Sequence, residues 1–235
     1  MDLSRRGLIL GCAALAGSCA TAGRRPSPVL QAAAPTPPPP TTPVLPPARA
    51  TLNVVGAAQT NYDPKGWIRQ PLLAAGLEAY ERHGRSLTNR DRIYLVDFSK
   101  HSSQQRLFEL DMRSGDVRRF RTAHGQGSDP SHSGFARLFS NVADSHASSV
   151  GAYVTGGPGM GAKHGPNTIL EGLDPTNSAA RARAIIVHGA DYCEPAYLDA
   201  HGKLGRSFGC FATASADLQT LRPRLGEGRL LFAAA

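Results

Sequence analysis

Two short blocks of the chain carry the residue types that acyl chemistry needs. Ala184-Ile185-Ile186-Val187 reads as a buried strand running into His188-Gly189. A ring at the carboxyl end of such a strand is held rigidly yet emerges at a loop. Downstream, Gly205-Arg206-Ser207-Phe208-Gly209-Cys210-Phe211 sets a thiol among small residues ahead of a helix signal. Glycine before the cysteine lets the backbone turn sharply, so the amides of Gly209 and Cys210 could converge on one point. A thiol beside an imidazole is expected to ionise near neutral pH. Converging N–H groups would stabilise the oxyanion of a tetrahedral intermediate. The arrangement is the one an acyl-transfer enzyme requires.

The elements that must hold these blocks are short strands. Leu72, Leu73, Ala75, Leu77 and Tyr80 recur at near-helical spacing behind Pro71, which predicts a helix over 71–83. Strands are expected over 92–98, 106–112 and 117–123, the last two joined by the turn signal Arg113-Ser114-Gly115-Asp116. Further strands are expected over 149–155, 168–173, 184–188 and 229–232, and a helix over 215–224. Short strands, long Gly-rich loops and few helices predict a mainly β (α+β) domain with function carried on loops.

Other chemistries fit the residues less well. His188, Cys193, His201 and Cys210 are four ligand types, but their spacing matches no usual zinc pattern. Gly156-Gly157-Pro158-Gly159-Met160-Gly161-Ala162-Lys163 resembles a phosphate loop only superficially, because Lys does not follow Gly161 and no Ser or Thr comes next. A dinucleotide turn is equally poor with Pro158 inside it. Cys193, five residues past His188, would be an inert neighbour, or would pair with Cys210 and silence it. Neither a metal nor another cofactor is expected.

His188-Gly189 followed by Ser207-Phe208-Gly209-Cys210 resembles the His-Gly … Ser/Thr-His-Gly-Cys signature of bacterial L,D-transpeptidases. The likeness extends to a divergent YkuD-like branch through Arg92–Phe98 with Ser99-Lys100-His101, Gly151-Ala152-Tyr153, Gly161–Gly165, Leu170–Leu173 and Leu204–Ser207, covering roughly residues 70–232. The resemblance implies a β-sandwich-like core with a few peripheral helices. It implies that Cys210 is the nucleophile and His188 its general base, oriented by the Gly189 carbonyl, and that Cys210 attacks the bond between a diamino acid and D-Ala in a peptidoglycan tetrapeptide stem. D-Ala leaves, a thioester forms, and an acceptor amine resolves it without any nucleotide. Lys163 and His164 would then contact stem-peptide carboxylates or form an exposed loop, with Arg206 and Ser207 as further substrate contacts. Tyr153 would offer its hydroxyl to the oxyanion or serve as a core tyrosine. Phe208 stands where most of the wider family has a second His, and Ala212 where Arg or Asn usually follows. The acceptor is therefore left open. A water-using carboxypeptidase and a non-catalytic wall-binding lipoprotein are the competing readings.

The first fifty residues read as address and tether. Ser4-Arg5-Arg6 precedes a short apolar run ending in small residues, which fits an export signal over 1–22, by the general or the twin-arginine route. Leu15–Cys19 resembles a loose lipobox that would lipidate Cys19 and attach the protein to a membrane; Ala20-Thr21-Ala22 instead fits simple cleavage. Residues 23–50 are rich in Pro, Ala and Thr and hold ten of the eighteen prolines, a semi-rigid spacer. The catalytic domain is expected over 51–235, in the periplasm or cell envelope. Of the formal charge of +8, half comes from five arginines and one acid in residues 1–50. Basicity therefore argues for export and a polyanionic wall rather than for nucleic acid.

Overall fold

The structure is a computed structural model and describes residues 61–235; the export signal, Cys19 and the Pro-rich spacer lie outside the described residues. Among the described residues, no helix is long and apolar enough to cross a membrane.

The chain enters through α1 (Gln70–Arg82), started by Pro71 in its first turn. β1 (Arg92–Asp97), β2 (Leu107–Asp111) and β3 (Val117–Phe120) follow as an antiparallel meander. The β2–β3 turn has a local cause. Asp111 Oδ1 accepts the amides of Arg113 at 2.9 Å and Ser114 at 3.1 Å, and Gly115 takes φ +79°, which a side chain would resist.

Next come the two-residue β4 (His124–Gly125), the long hairpin of β5 (Gly151–Gly161) and β6 (Gly165–Gly172), and β7 (Ile186–Gly189). After α2 (Pro195–His201), the short β8 (Arg206–Ser207) and β9 (Phe211–Thr213) lead into α3 (Ser215–Leu225) and β10 (Glu227–Ala234). Eight strands form one mixed sheet in the order β3-β2-β1-β10-β5-β6-β7-β9, and β4 pairs with β8 in a small second sheet. The β1–β10 and β7–β9 pairs are parallel, and the other neighbours in the large sheet are antiparallel.

Alternation along the strands gives the sheet two apolar faces. Tyr94, Val96, Leu107, Tyr153, Leu170, Val187, Phe211 and Leu231 pack with Leu218, Leu221 and Leu225 of α3. Ile93, Leu95, Phe108, Leu110, Ala152, Leu230 and Phe232 pack with Leu72, Leu73 and Ala79 of α1. Each fully buried large side chain contributes about 1.5–3 kcal/mol. The mainly β class with a sheet-rich core is therefore the architecture of the chain, with a helix covering each face of the large sheet.

One segment differs from its sequence reading. The Gly-rich run after Thr155 was expected to be loop, yet it continues β5 as far as Gly161, with Pro158 opposite Thr168 and Gly159 opposite Asn167. A register shift between Thr155 and Pro158 absorbs the proline. A Cβ at 159 would meet Asn167 Oδ1, so a larger residue there would have to displace that side chain.

Candidate active site

β7 and β9 run side by side, with Val187 opposite Phe211, His188 opposite Ala212 and Gly189 opposite Thr213. Paired residues share a face, so His188 and Ala212 point the same way. Cys210, two positions before Ala212, enters at the start of β7, where its Sγ lies 3.6 Å from the Ala184 carbonyl oxygen. The strand pair thus carries thiol and imidazole on adjacent lines, both buried.

His188 Nδ1 lies 2.8 Å from the carbonyl oxygen of Gly189. A carbonyl only accepts, so Nδ1 bears the proton and Nε2 keeps its lone pair. Burial pushes the imidazole below its ordinary value; the Gly189 bond opposes this, and the neighbouring His164 and Lys163 add to it. The Cys210 thiol moves the other way. Burial raises it, and the Ile186 amide, Arg183 and Lys163 only partly offset that. Both shifts favour the neutral forms. Desolvation penalises both charged forms and so works against the ionisation expected of a thiol–imidazole pair.

The turn carrying the thiol is built from its own polar groups. Gly209 sits at φ +116°, where a Cβ would also press on the Ala147 carbonyl oxygen at 2.8 Å and on the Arg183 guanidinium at 3.1 Å. Ser207 Oγ donates to the Cys210 carbonyl at 2.8 Å and accepts the Gly209 amide at 3.1 Å. Arg206 donates to the carbonyls of Asp129 and Pro130. Ser207 and Arg206 thus have partners inside the protein. Tyr153 is buried, and its hydroxyl lies 2.8 Å from both the carbonyl and the hydroxyl oxygen of Ser149.

Lys163 and His164, at the tip of the β5–β6 hairpin, reach the site from the other side. The His164 ring centroid is 4.1 Å from that of His188, and Lys163 Nζ is 5.3 Å from the centre of Phe208. Phe208 is exposed and stacks on His146 at 4.3 Å.

Beneath the turn lies a second polar cluster. Arg106, fully buried, donates to the carbonyls of Thr122 and Lys100, each at 2.9 Å, and to His124 Nδ1 at 2.7 Å. A guanidinium only donates, so the His124 proton is on Nε2, which faces Asp129 Oδ2 at 3.3 Å. Asp129 in turn accepts the Ser133 amide and the Gly134 amide, both at 2.7 Å. Through the Asp129 carbonyl to Arg206, and through the β4–β8 pairing, this cluster fixes the loop that ends in Cys210. Cys193, also buried, packs nearby with Leu204 and Ala212, and both Cys193 and Cys210 are free thiols. Among the described residues, no three His, Cys, Asp or Glu side chains gather as metal ligands.

A family model described as the L,D-transpeptidase catalytic domain matches residues 65–234. The chain belongs to the L,D-transpeptidase catalytic-domain family. Among solved structures, it is similar to an L,D-transpeptidase from Mycobacterium smegmatis, with 10% identity over 62% of this chain and 59% of that one and a TM-score of 0.39. It is also similar to L,D-transpeptidase 3 from Mycobacterium tuberculosis, with 14% identity over 62% and 61% of the chains and a TM-score of 0.35. The matched regions span about three fifths of those chains. Curated protein sequences give no significant match.

Within this L,D-transpeptidase domain, sequence reasoning missed several residues around the thiol. Arg183 donates to the carbonyls of Ser140 at 2.7 Å and Ala147, and its charge reaches Cys210. His124, Asp129 and Arg106 were also missed. Their only signal was polar residue types inside apolar strand ends, which is silent until the strands are placed.

Proposed function

We propose that the protein is a peptidoglycan L,D-transpeptidase in which Cys210 is the nucleophile and His188 its general base. The reading rests above all on one observation. Gly189 holds the Nδ1 proton of His188, and the free Nε2 lone pair belongs to a ring on the strand line beside the thiol. Both shifts favour a neutral resting pair, so proton transfer accompanies attack. His188 Nε2 takes the thiol proton as sulfur adds to the carbonyl of the diamino acid–D-Ala bond. The developing oxyanion falls to the Cys210 amide, because the Gly209 amide is spent on Ser207 and the Tyr153 hydroxyl on Ser149. His188 then gives its proton to the departing D-Ala amine, leaving a thioester. An acceptor amine of a second stem attacks that thioester, His188 takes its proton, and the thiol is restored.

Lys163 and His164, on the hairpin tip, are the groups we assign to the carboxylates of the donor stem. We assign Ser207 and Arg206 to shaping the nucleophile turn rather than to substrate. The chemistry belongs at the wall outside the cytoplasm, which suits export through residues 1–22 and, if the lipobox is used, anchoring through Cys19.

Incubation with disaccharide-tetrapeptide, with products read by mass spectrometry, tests this. Wild type and Cys193→Ala yield dimers and free D-Ala; Cys210→Ala yields none, a loss of at least about 10⁴-fold. Tripeptide in place of dimers makes the enzyme a carboxypeptidase. Substrate unchanged by the wild type ends the catalytic reading.

A further inference from the structure

The far edge of the large sheet carries a cationic cleft with no part in the chemistry above. β3 ends the strand order opposite β9, so among the described residues its outer edge has no neighbouring strand. A shallow cleft of about 340 Å³, largely open to solvent, lies there, lined by Arg118 and Arg119 of β3, Trp67 ahead of α1, Gln105, and Thr220 of α3. No carboxylate lines it. Arg118 and Arg119 are both exposed and, as successive strand residues, project to opposite faces of the edge. Arg119 sits 3.9 Å from the centre of the Trp67 ring, with Lys65 Nζ at 4.8 Å on the same indole. Among the described residues, none of Lys65, Arg118 and Arg119 is in an ion pair.

Charge alone would suffice to guard an open strand edge against pairing with another chain. This edge has more. The part of the indole left uncovered by Arg119 and Lys65 is apolar. Gln105 and Thr220 each spend one donor on a long 3.5 Å bond to a backbone carbonyl and keep their remaining capacity. The guanidinium held against the ring presents a fork that matches a carboxylate. A ligand that answers all three bears sugar or aliphatic surface, hydroxyl and amide groups, and repeated carboxylates.

We propose that this cleft is an exosite for the carboxylate-bearing glycan–peptide polymer, holding the wall while the β7–β9 end works on one stem. The identity of the polymer rests on the reading of the protein as a wall enzyme; the site itself does not include Cys210 or His188. An exosite of this kind acts on polymer and not on an isolated stem, which separates it from the catalytic groups.

Trp67 is the chain's single tryptophan, so its emission reports on the cleft directly. The full chain bearing Cys210→Ala is titrated with solubilised glycan–peptide fragments of purified sacculi, with polyglutamate as a polycarboxylate lacking sugar. A shift in Trp67 emission is expected with the fragments. Binding should weaken roughly tenfold in the Arg118→Gln/Arg119→Gln variant. In the otherwise wild-type chain, the double variant should lose turnover on intact sacculi while keeping its rate on soluble disaccharide-tetrapeptide. Matched melting temperatures exclude misfolding, and Arg118→Lys/Arg119→Lys should restore part of the binding. An unchanged emission, equal binding of polyglutamate, or a double variant that processes sacculi like wild type overturns the proposal. Binding without any product from wild type removes the catalytic reading alone; product without a Trp67 response removes the exosite alone.

Discussion

The domain contains two buried neighbourhoods of nearly the same composition: Cys210 with His188 and Arg183, and Cys193 with His124 and Arg106. In both, burial raises the thiol and lowers the imidazole. What separates them is how the ring nitrogens are used. His124 accepts from Arg106 on one side and faces Asp129 on the other, so neither nitrogen is left over. His188 gives its single proton to a backbone carbonyl, and its lone pair remains. Arg106 is enclosed by carbonyls and the His124 ring, whereas Arg183 is only half-buried and its charge acts on Cys210. Composition therefore does not separate the two neighbourhoods; the uncommitted lone pair of His188 does.

The sharpest way to break this comparison is to remove each ring in turn. His188→Gln should lower turnover on disaccharide-tetrapeptide by about 10³-fold or more with the melting temperature nearly unchanged. His124→Ala should do the reverse, destabilising by about 1.5–3 kcal/mol in denaturant titration because one buried Arg106 N–H loses its acceptor. Equal effects of the two on turnover per folded molecule would erase the distinction.

A smaller effect separates them by pH. The His124 imidazole is held down to about 3 by burial first and then by the Arg106 charge. Below about pH 6.5 the unfolded chain takes a proton that the folded ring refuses. Stability should then fall by about 1.4 kcal/mol per pH unit until about pH 3. His188, lowered in the same direction, adds to the slope. Burial works against the Asp129 carboxylate, but the Ser133 and Gly134 amides overcome it and hold it at about 2, so its share is lost only in stronger acid. Thermal melts from pH 7 to 4 should show this decline, and His124→Gln should make it shallower. A wild-type melting temperature flat across that range would mean that the buried imidazole protonates freely.

The smallest difference lies in the arginines. Arg183 favours the Cys210 thiolate, so Arg183→Met should slow iodoacetamide alkylation of Cys210 roughly threefold at pH 8, and Arg183→Lys should restore it. Cys193 should stay unlabelled in the native protein. If the Met and Lys variants react alike, the charge of Arg183 has no influence on the thiol.

Much of this was legible before any coordinates. The helix over 71–83, the strand over 92–98 and the turn at 113–116 follow from local spacing, and α1, β1 and the β2–β3 turn lie there. His188-Gly189 and Ser207–Cys210 announced themselves by residue type, because a polar ring ending a strand and a cysteine after glycine are both unusual. The extent of β5 was not legible. Glycine reads as loop wherever no partner is known, and the partner is β6. Nor could the sequence join Arg106, His124 and Asp129 to Arg206, which stands 100 residues after Arg106, since only the parallel β4–β8 pairing brings those stretches together. Arg206 and Ser207, expected as substrate contacts, illustrate the limit, because their bonds to backbone groups of the protein are invisible in the sequence. A hydroxyl and a guanidinium beside a nucleophile look the same in sequence whether they face substrate or their own loop.

β10 is the last strand in chain order, yet it lies in the middle of the large sheet, parallel to β1 on one side and antiparallel to β5 on the other. Until it is in place, the β1–β3 meander and the β5–β7 segment have no shared border. As the chain is made, both halves must wait with open edges for residues 227–234, and no intermediate length can close the sheet. Assembly is thereby gated by the final strand. Folding is expected to be slow, because its decisive contacts join positions more than 130 residues apart. It is also expected to be all-or-none, so that the β7–β9 end is completed only together with the rest of the sheet.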